Sequence, residues 1–223
     1  MLNSVERNLL VLNQKIKKAC QVYGINNSRV NLIAVSKMVE PQKIITAIES
    51  GCLIFGENYI SEAKEKWPEI KKSHPQIELH FIGNLQSNKA KEAVELFDCI
   101  ESLDSESAAK ALAKEIKKQN KNPQIYIQVN IGEELQKGGI LPQDLKSFIK
   151  LCRDENDLNI TGLMCIPPAN EAASPYFALL AKMARENNLK NISMGMSSDF
   201  EEAIALGATH VRVGTAIFGE RQK

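Results

Sequence analysis

Eight short apolar runs, each followed by a helical pattern or turn, constrain the fold of this 223-residue chain more than any other feature. The first run, Val30-Asn31-Leu32-Ile33-Ala34-Val35-Ser36-Lys37, ends on a lysine. Pro41 then opens a helical pattern, as suits a proline in a first turn. Further strands are expected at 52–56, 77–82, from 99, and at 125–129, 160–166, 191–194 and 209–213. Helices are expected at 41–50, 59–72, 89–97, 105–119, 142–153 and 175–187, with a short one capped by Ser198 and ending at Gly207. Pro68 is expected to break the second of these. An amphipathic helix at about 2–23 precedes the first strand, with Leu9, Leu12, Ile16 and Ala19 on one side. Strands alternating with helices imply a parallel sheet, and eight such units favour a closed (β/α)8 TIM barrel of the α/β class over an open doubly wound sheet. Without a linker, a low-complexity run or a composition shift, residues 1–223 read as a single domain. No long helix follows the eighth strand, so the N-terminal helix is expected to cover that end of the barrel.

Composition narrows the function classes. Hydrophobic residues are 43% and charged residues 25%, the balance of a globular chain with a sizeable core. The formal net charge of +1 gives no general attraction to nucleic acid or membrane, while a small anionic ligand needs only local positive groups. No apolar run reaches membrane-span length, and the start mixes Glu6, Arg7 and Asn8 with leucines, unlike a signal peptide. The five cysteines form no Cys-x-x-Cys pair, so reduced thiols in the cytoplasm are expected. His74, His80 and His210 lack ligand spacing, so no metal site is expected.

The chemistry collects at strand ends. Lys37 falls at the face where barrel enzymes keep their catalytic groups, and a lysine amine there can form a Schiff base with an aldehyde. Strand seven is followed by Ser193-Met194-Gly195-Met196-Ser197-Ser198-Asp199, and strand eight by Gly214-Thr215-Ala216. Glycines admit backbone amides to an anion, hydroxyls add donors, and the loops after strands seven and eight are where barrels commonly hold a phosphate. An amine and a phosphate cradle on one mouth suggest an aldehyde phosphate. Pyridoxal 5'-phosphate (PLP) fits best, and a sugar phosphate handled by an aldolase-type lysine also fits.

Longer matches run through the chain: Ala34-Val35-Ser36-Lys37, Phe55-Gly56-Glu57-Asn58-Tyr59, His80-Phe81-Ile82-Gly83-Asn84-Leu85-Gln86-Ser87-Asn88-Lys89, Ser193 to Asp199 and Val211 to Arg221. On these residues the chain resembles the pyridoxal 5'-phosphate homeostasis proteins, the YggS/PROSC family. The resemblance implies a barrel like the N-terminal domain of alanine racemase (PLP fold type III), with PLP on Lys37 as an internal aldimine. It further implies phosphate contacts from Ser197, Gly214 and Thr215, with Met194 beside them and Asn58 and Arg221 near the ring. Ile60-Ser61-Glu62 stands where many family members have Val-Gln-Glu. The implied role is to hold PLP and deliver it to apo-enzymes in vitamin B6 homeostasis, without robust catalysis. The alternative is a racemase-like PLP enzyme. Racemases of this fold take a tyrosine from a further domain, and this chain stops just after the last barrel motif, so a carrier and a monomer are expected. If Arg221 faces the ring nitrogen it cannot accept that proton, which leaves the cofactor a weak electron sink.

Other candidates read more simply. Glu57 and Asn58 point to the same mouth, and Glu57 is the obvious carboxylate for an aldolase. His80, Tyr59, Tyr126 and Tyr176 read as core or rim packing, while Gln86, Asn88 and Lys89 are placed on the pocket rim. Lys137, in a glycine-rich loop, reads as a solvated lysine outside the site, with a second acceptor amine as its other reading.

Overall fold

A computed structural model describes residues 3–219. Its eight parallel strands close in sequence order, β1 through β8, into one barrel, with β8 pairing back onto β1. The strands are β1 (Asn31–Val35), β2 (Ile54–Glu57), β3 (Glu78–Phe81), β4 (Cys99–Leu103), β5 (Gln124–Val129), β6 (Ile160–Cys165), β7 (Asn191–Ser193) and β8 (His210–Val213). The helices are α1 (Ser4–Val22), α2 (Pro41–Glu49), α3 (Ile60–Ser73), α4 (Ala90–Leu96), α5 (Glu106–Gln119), α6 (Leu145–Lys150), α7 (Ser174–Glu186), α8 (Phe200–Ala205) and α9 (Thr215–Phe218). Because all strands run the same way, every loop that follows a strand opens on one rim. That rim is the mouth.

Local chemistry explains the main elements. Asn3 and Glu6 form a reciprocal capping box that starts α1. Pro41 occupies the first turn of α2, and Ser105 caps α5, which ends at Asn120 in a left-handed conformation (φ 50°). The main core lies between sheet and helices, where Phe55 packs on Trp67 and Phe81 on Phe97. Helix α1 packs against α8, α9 and α2, and Asn8 Nδ2 donates to Ile217 O at 2.9 Å. It thereby fills the outer ring beside β8, where α9 has only four residues.

Three local expectations are corrected. Helix α3 runs through Pro68 without a break: the proline ring is exposed, so the carbonyl that loses its partner one turn earlier meets water. The helix expected over 142–153 is a 3-10 turn (Pro142–Asp144), then α6, then a π turn (Leu151–Glu155). Ser198 does not cap α8. The helix begins after Asp199, whose Oδ1 accepts the Met196 N–H at 2.6 Å.

The barrel interior is unusually polar. Cys99, Tyr126 and Met164 form a small cluster of their own, surrounded by buried His80, Glu101, Ser193, His210 and Arg212. Glu101 is the hub. Its Oε1 meets His80 Nδ1 at 2.6 Å, and its Oε2 accepts from Ser193 Oγ at 2.6 Å. Arg212 Nη1 donates to that same Ser193 Oγ at 2.7 Å and Nη2 donates to Cys165 O at 2.8 Å. His80 Nε2 faces Glu78 Oε1 at 3.0 Å, so both ring nitrogens point at carboxylates. His210 lies 5.8 Å from His80, between Thr209 Oγ1 and Asn31 Nδ2.

These surroundings set opposite charge states on the two histidines. Burial pushes the His80 imidazole down, but Cys99, Glu101 and Glu78 together raise it well above its ordinary range. Burial lowers His210 to about 4. Burial opposes the Glu101 carboxylate, but His80 and Arg212 hold its pKa below the usual range. The signs give a stability window. The His80 contribution is fully present below the free-histidine value of about 6.5 and is lost as pH rises through its raised folded pKa. The His210 contribution is present above about 6.5 and is lost as pH falls toward 4, because the unfolded chain then takes up the extra proton. The expected result is maximal resistance to urea near pH 6.5, with a shallow acid limb below it from His210 and an alkaline limb above it that runs up to the raised His80 pKa. His80→Gln should remove the alkaline limb and keep the acid one. An unchanged alkaline limb in that variant would contradict this assignment.

Candidate functional site

Lys37 sits in the turn two residues past β1, half-buried. Ser36 before it is fully buried, and each of its polar groups is engaged. Its N–H donates to Gly56 O at 2.9 Å, its Oγ donates to Glu57 Oε1 at 2.6 Å, and its carbonyl accepts from Val39 N–H at 3.1 Å and Lys66 Nζ at 2.7 Å. Met38, after the lysine, has a left-handed φ of 58°. Its N–H donates to Glu62 Oε1 at 2.6 Å. The lysine backbone is therefore held on both sides.

The other sequence-predicted positions gather on the same rim. Asn58 follows β2, Met194 and Ser197 follow β7, and Gly214 and Thr215 follow β8. Since β7, β8, β1 and β2 are consecutive around the barrel, these residues form one continuous arc with Lys37. Met194 is buried, and Ser197 and Thr215 are exposed. A Cβ on Gly214 would lie 3.1 Å from Val35 O, so glycine lets the end of β8 close tightly on the end of β1. Gly195 takes φ 89°, which turns the chain after β7. Arg221 lies outside the described residues.

Asn58 is the most informative of the arc. Its Oδ1 is buried and has no hydrogen-bond partner. A native buried acceptor rarely stays unsatisfied without a ligand or water role. Gly83 makes room for its backbone, because a Cβ there would lie 2.0 Å from Asn58 O. Asn58 also borders a mouth cavity of about 260 Å³ that continues past Gly83, Asp104, Asn130 and Lys137. The other five described arc residues do not line that cavity. Lys137, set aside on sequence, stands on its wall and is half-buried. Its Nζ donates to Pro167 O at 3.0 Å and pairs with Glu134.

Glu57 corrects another expectation. It is fully buried and turned away from the mouth, toward α3, where Trp67 Nε1 donates to its Oε1 at 2.9 Å and Lys66 Nζ lies 2.8 Å away. Burial raises its carboxyl pKa, and Lys66, Ser36 and Trp67 pull it back down. It is not presented as an acid or base to the rim. Gln86, Asn88 and Lys89 are exposed and do not line the cavity. His80 and Tyr126 belong to the barrel core. His80 Nδ1, Cys99 Sγ and Glu101 lie within 4.8 Å of one another. Nδ1 and Oε1 are hydrogen-bonded to each other at 2.6 Å. All five cysteines are free and buried, and burial pushes Cys52, Cys152 and Cys165 up to about 12. Among the described residues no helix is long and apolar enough to cross a membrane.

The arrangement fits an aldehyde phosphate. It offers an amine on a braced turn, glycine-bearing turns with hydroxyls on the strand ends to one side, and an unsatisfied amide oxygen after the strand on the other side. Residues 2–222 match the family described as alanine racemase, N-terminal domain. The pyridoxal phosphate homeostasis protein of Vibrio cholerae is 38% identical, covering 99% of this chain and 98% of the relative. That of Aquifex aeolicus is 38% identical, covering 99% of this chain and 100% of the relative. Among solved structures, PipY of Synechococcus elongatus PCC7942 with PLP bound is 35% identical, with a TM-score of 0.82, covering 96% of this chain and 100% of that one. D-threonine aldolase from Filomicrobium marinum shares the fold alone, at 14% identity and a TM-score of 0.74, covering 96% of this chain and 60% of that chain.

Proposed function

The chain belongs to the pyridoxal phosphate homeostasis proteins of the alanine racemase N-terminal-domain family, and from that premise we propose that it holds PLP on Lys37 and hands it on without robust catalysis. It binds PLP and takes part in its homeostasis, as its relatives are named for. The observation that carries the residue assignment is the braced lysine turn at the end of β1, on one arc with the turns after β7 and β8. When bound, PLP supplies an aldehyde that condenses reversibly with a primary amine, releasing one water.

In this reading each residue has a defined task. Lys37 supplies the amine. Ser197, Gly214 and Thr215 receive the phosphate through hydroxyls and backbone N–H groups, with Met194 packing beneath them. Asn58 directs its unsatisfied Oδ1 toward the ring side of the mouth. Two carboxylates near the lysine are already engaged: Glu57 faces Trp67 and Lys66, and Glu62 accepts from Met38 and Lys66. Glu57 is fully buried against α3 rather than presented to the rim, which supports a carrier over an enzyme. The relatives are named as homeostasis proteins rather than enzymes, in agreement with that. A cytoplasmic, single-domain monomer that loads PLP-dependent apo-enzymes completes the proposal.

The test is titration of cofactor-free protein with PLP, followed by incubation with L-amino acids. Uptake of one equivalent with no steady racemisation is the expected result. Sustained turnover of any amino acid would replace the carrier reading with an enzyme.

A further inference from the structure

The strongest unexplained feature beside Lys37 is a chain of charges that reaches the lysine turn from α3. The Lys66 side chain is 7% exposed and touches two carboxylates, Glu57 at 2.8 Å and Glu62 at 2.7 Å. Its Nζ also donates to the carbonyl of Ser36 at 2.7 Å. Glu62, one helical turn earlier on α3, accepts the N–H of Met38 at 2.6 Å. Glu57 takes the Ser36 hydroxyl at 2.6 Å and is itself fixed by Trp67 Nε1 at 2.9 Å. Three side chains thus bind the residues immediately before and after Lys37, and none of them reaches the mouth. The conformation they hold is a costly one. Met38 has φ 58°, a region that a residue with a Cβ seldom occupies unless its surroundings enforce it. A side chain at 66% exposure gains little from packing there, so the enforcement comes from hydrogen bonds: Val39 N–H closing the turn on Ser36 O, and Glu62 holding the Met38 N–H.

We infer that Glu57, Glu62 and Lys66 are positioning residues that hold the Lys37 turn in the conformation that receives PLP. The inference rests on the reading that Lys37 carries the cofactor. Without the clamp, Met38 relaxes to negative φ and swings the preceding peptide, so Lys37 leaves the arc shared with Gly214 and Thr215. The free protein then has to recover that geometry on binding, which appears as weaker affinity rather than as lost folding.

Glu62→Ala and Glu62→Gln separate positioning from general stability. Glutamine keeps a carbonyl oxygen at the Met38 N–H, and alanine does not. Two readouts are needed: amide hydrogen exchange at Met38 in the cofactor-free protein, and the dissociation constant for PLP. The expected result for Glu62→Ala is faster exchange at Met38 and affinity about ten- to a hundredfold weaker, from loss of a charge-assisted hydrogen bond. Glu62→Gln should recover most of both. If Glu62→Ala does not fold, Glu62→Met keeps the side-chain volume and should weaken affinity in the same way. Wild-type affinity in a folded Glu62→Ala or Glu62→Met, with borohydride still fixing the cofactor to Lys37, overturns the clamp alone. Fixation to another residue in the wild-type protein overturns the lysine reading and the clamp with it.

Discussion

Lys37→Ala should abolish the yellow lysine-bound form of the protein and weaken PLP binding on the order of 100-fold, about 2.7 kcal/mol. The size of the effect follows from what is removed. The amine is the one group of the arc that can bond covalently to an aldehyde, whereas Ser197, Thr215, Gly214 and Asn58 can offer only hydrogen bonds. Those groups remain in the variant, so weak, rapidly reversible binding should survive. Folding should survive as well. Lys37 is half-buried in a turn rather than in the core, and substitutions at such places usually cost within about 0.5 kcal/mol. Lys37→Arg keeps the positive charge, yet its guanidinium stays protonated and cannot condense. It should therefore behave like alanine in the visible spectrum. Equilibrium dialysis with absorbance spectra on the two variants checks both statements. Tight binding by Lys37→Arg without the lysine-bound absorbance would show that charge alone accounts for retention.

Glu101→Leu should be the most destabilising of the single substitutions considered, by about 3–5 kcal/mol, or a fall in melting temperature of about 10 °C. Glu101 is buried at the centre of the barrel, and its two oxygens answer His80 on one side and Ser193 with Arg212 on the other. Leucine leaves the Arg212 guanidinium without its carboxylate in a place water does not reach. Breaking one side of such an arrangement costs more than removing both. Glu101→Leu combined with Arg212→Leu should accordingly lose less than the sum of the two single changes. Thermal melts of the two single variants and the double variant measure that coupling. Strict additivity would show that the network is four independent contacts.

The contrast between arc and network shows what a sequence displays. The strands announced themselves as apolar runs because residues packed between sheet and helices must be apolar on that side. Lys37, Ser197, Gly214 and Thr215 stood out because they end such runs, and the structure gathers those positions on one arc with Asn58 and Met194. Arg221 lies outside the described residues. The interior network was hidden because its members are spread along the chain, from His80 on β3 to Arg212 on β8. A faint signal existed in Glu101 and Arg212, charged residues in the middle of otherwise unremarkable strands. Glu62 and Lys66 were hidden for another reason. Four residues apart on a helix, they look like an ordinary surface ion pair, and only the fold brings them against Met38 and Ser36. Glu57 was misdirected by one step of strand alternation, since the residue after it faces the mouth and Glu57 faces α3. At Pro68 the loss of one hydrogen bond weighed less than the burial of Trp67 and Ile70 on either side.

The most direct measurement is borohydride reduction of the PLP-loaded protein, followed by proteolysis and mass mapping of the pyridoxyl label. A single label on the peptide that carries Lys37 is the predicted result. A label on Lys137 or Lys66 with Lys37 unmodified, or no covalent label at saturating PLP, would contradict the account.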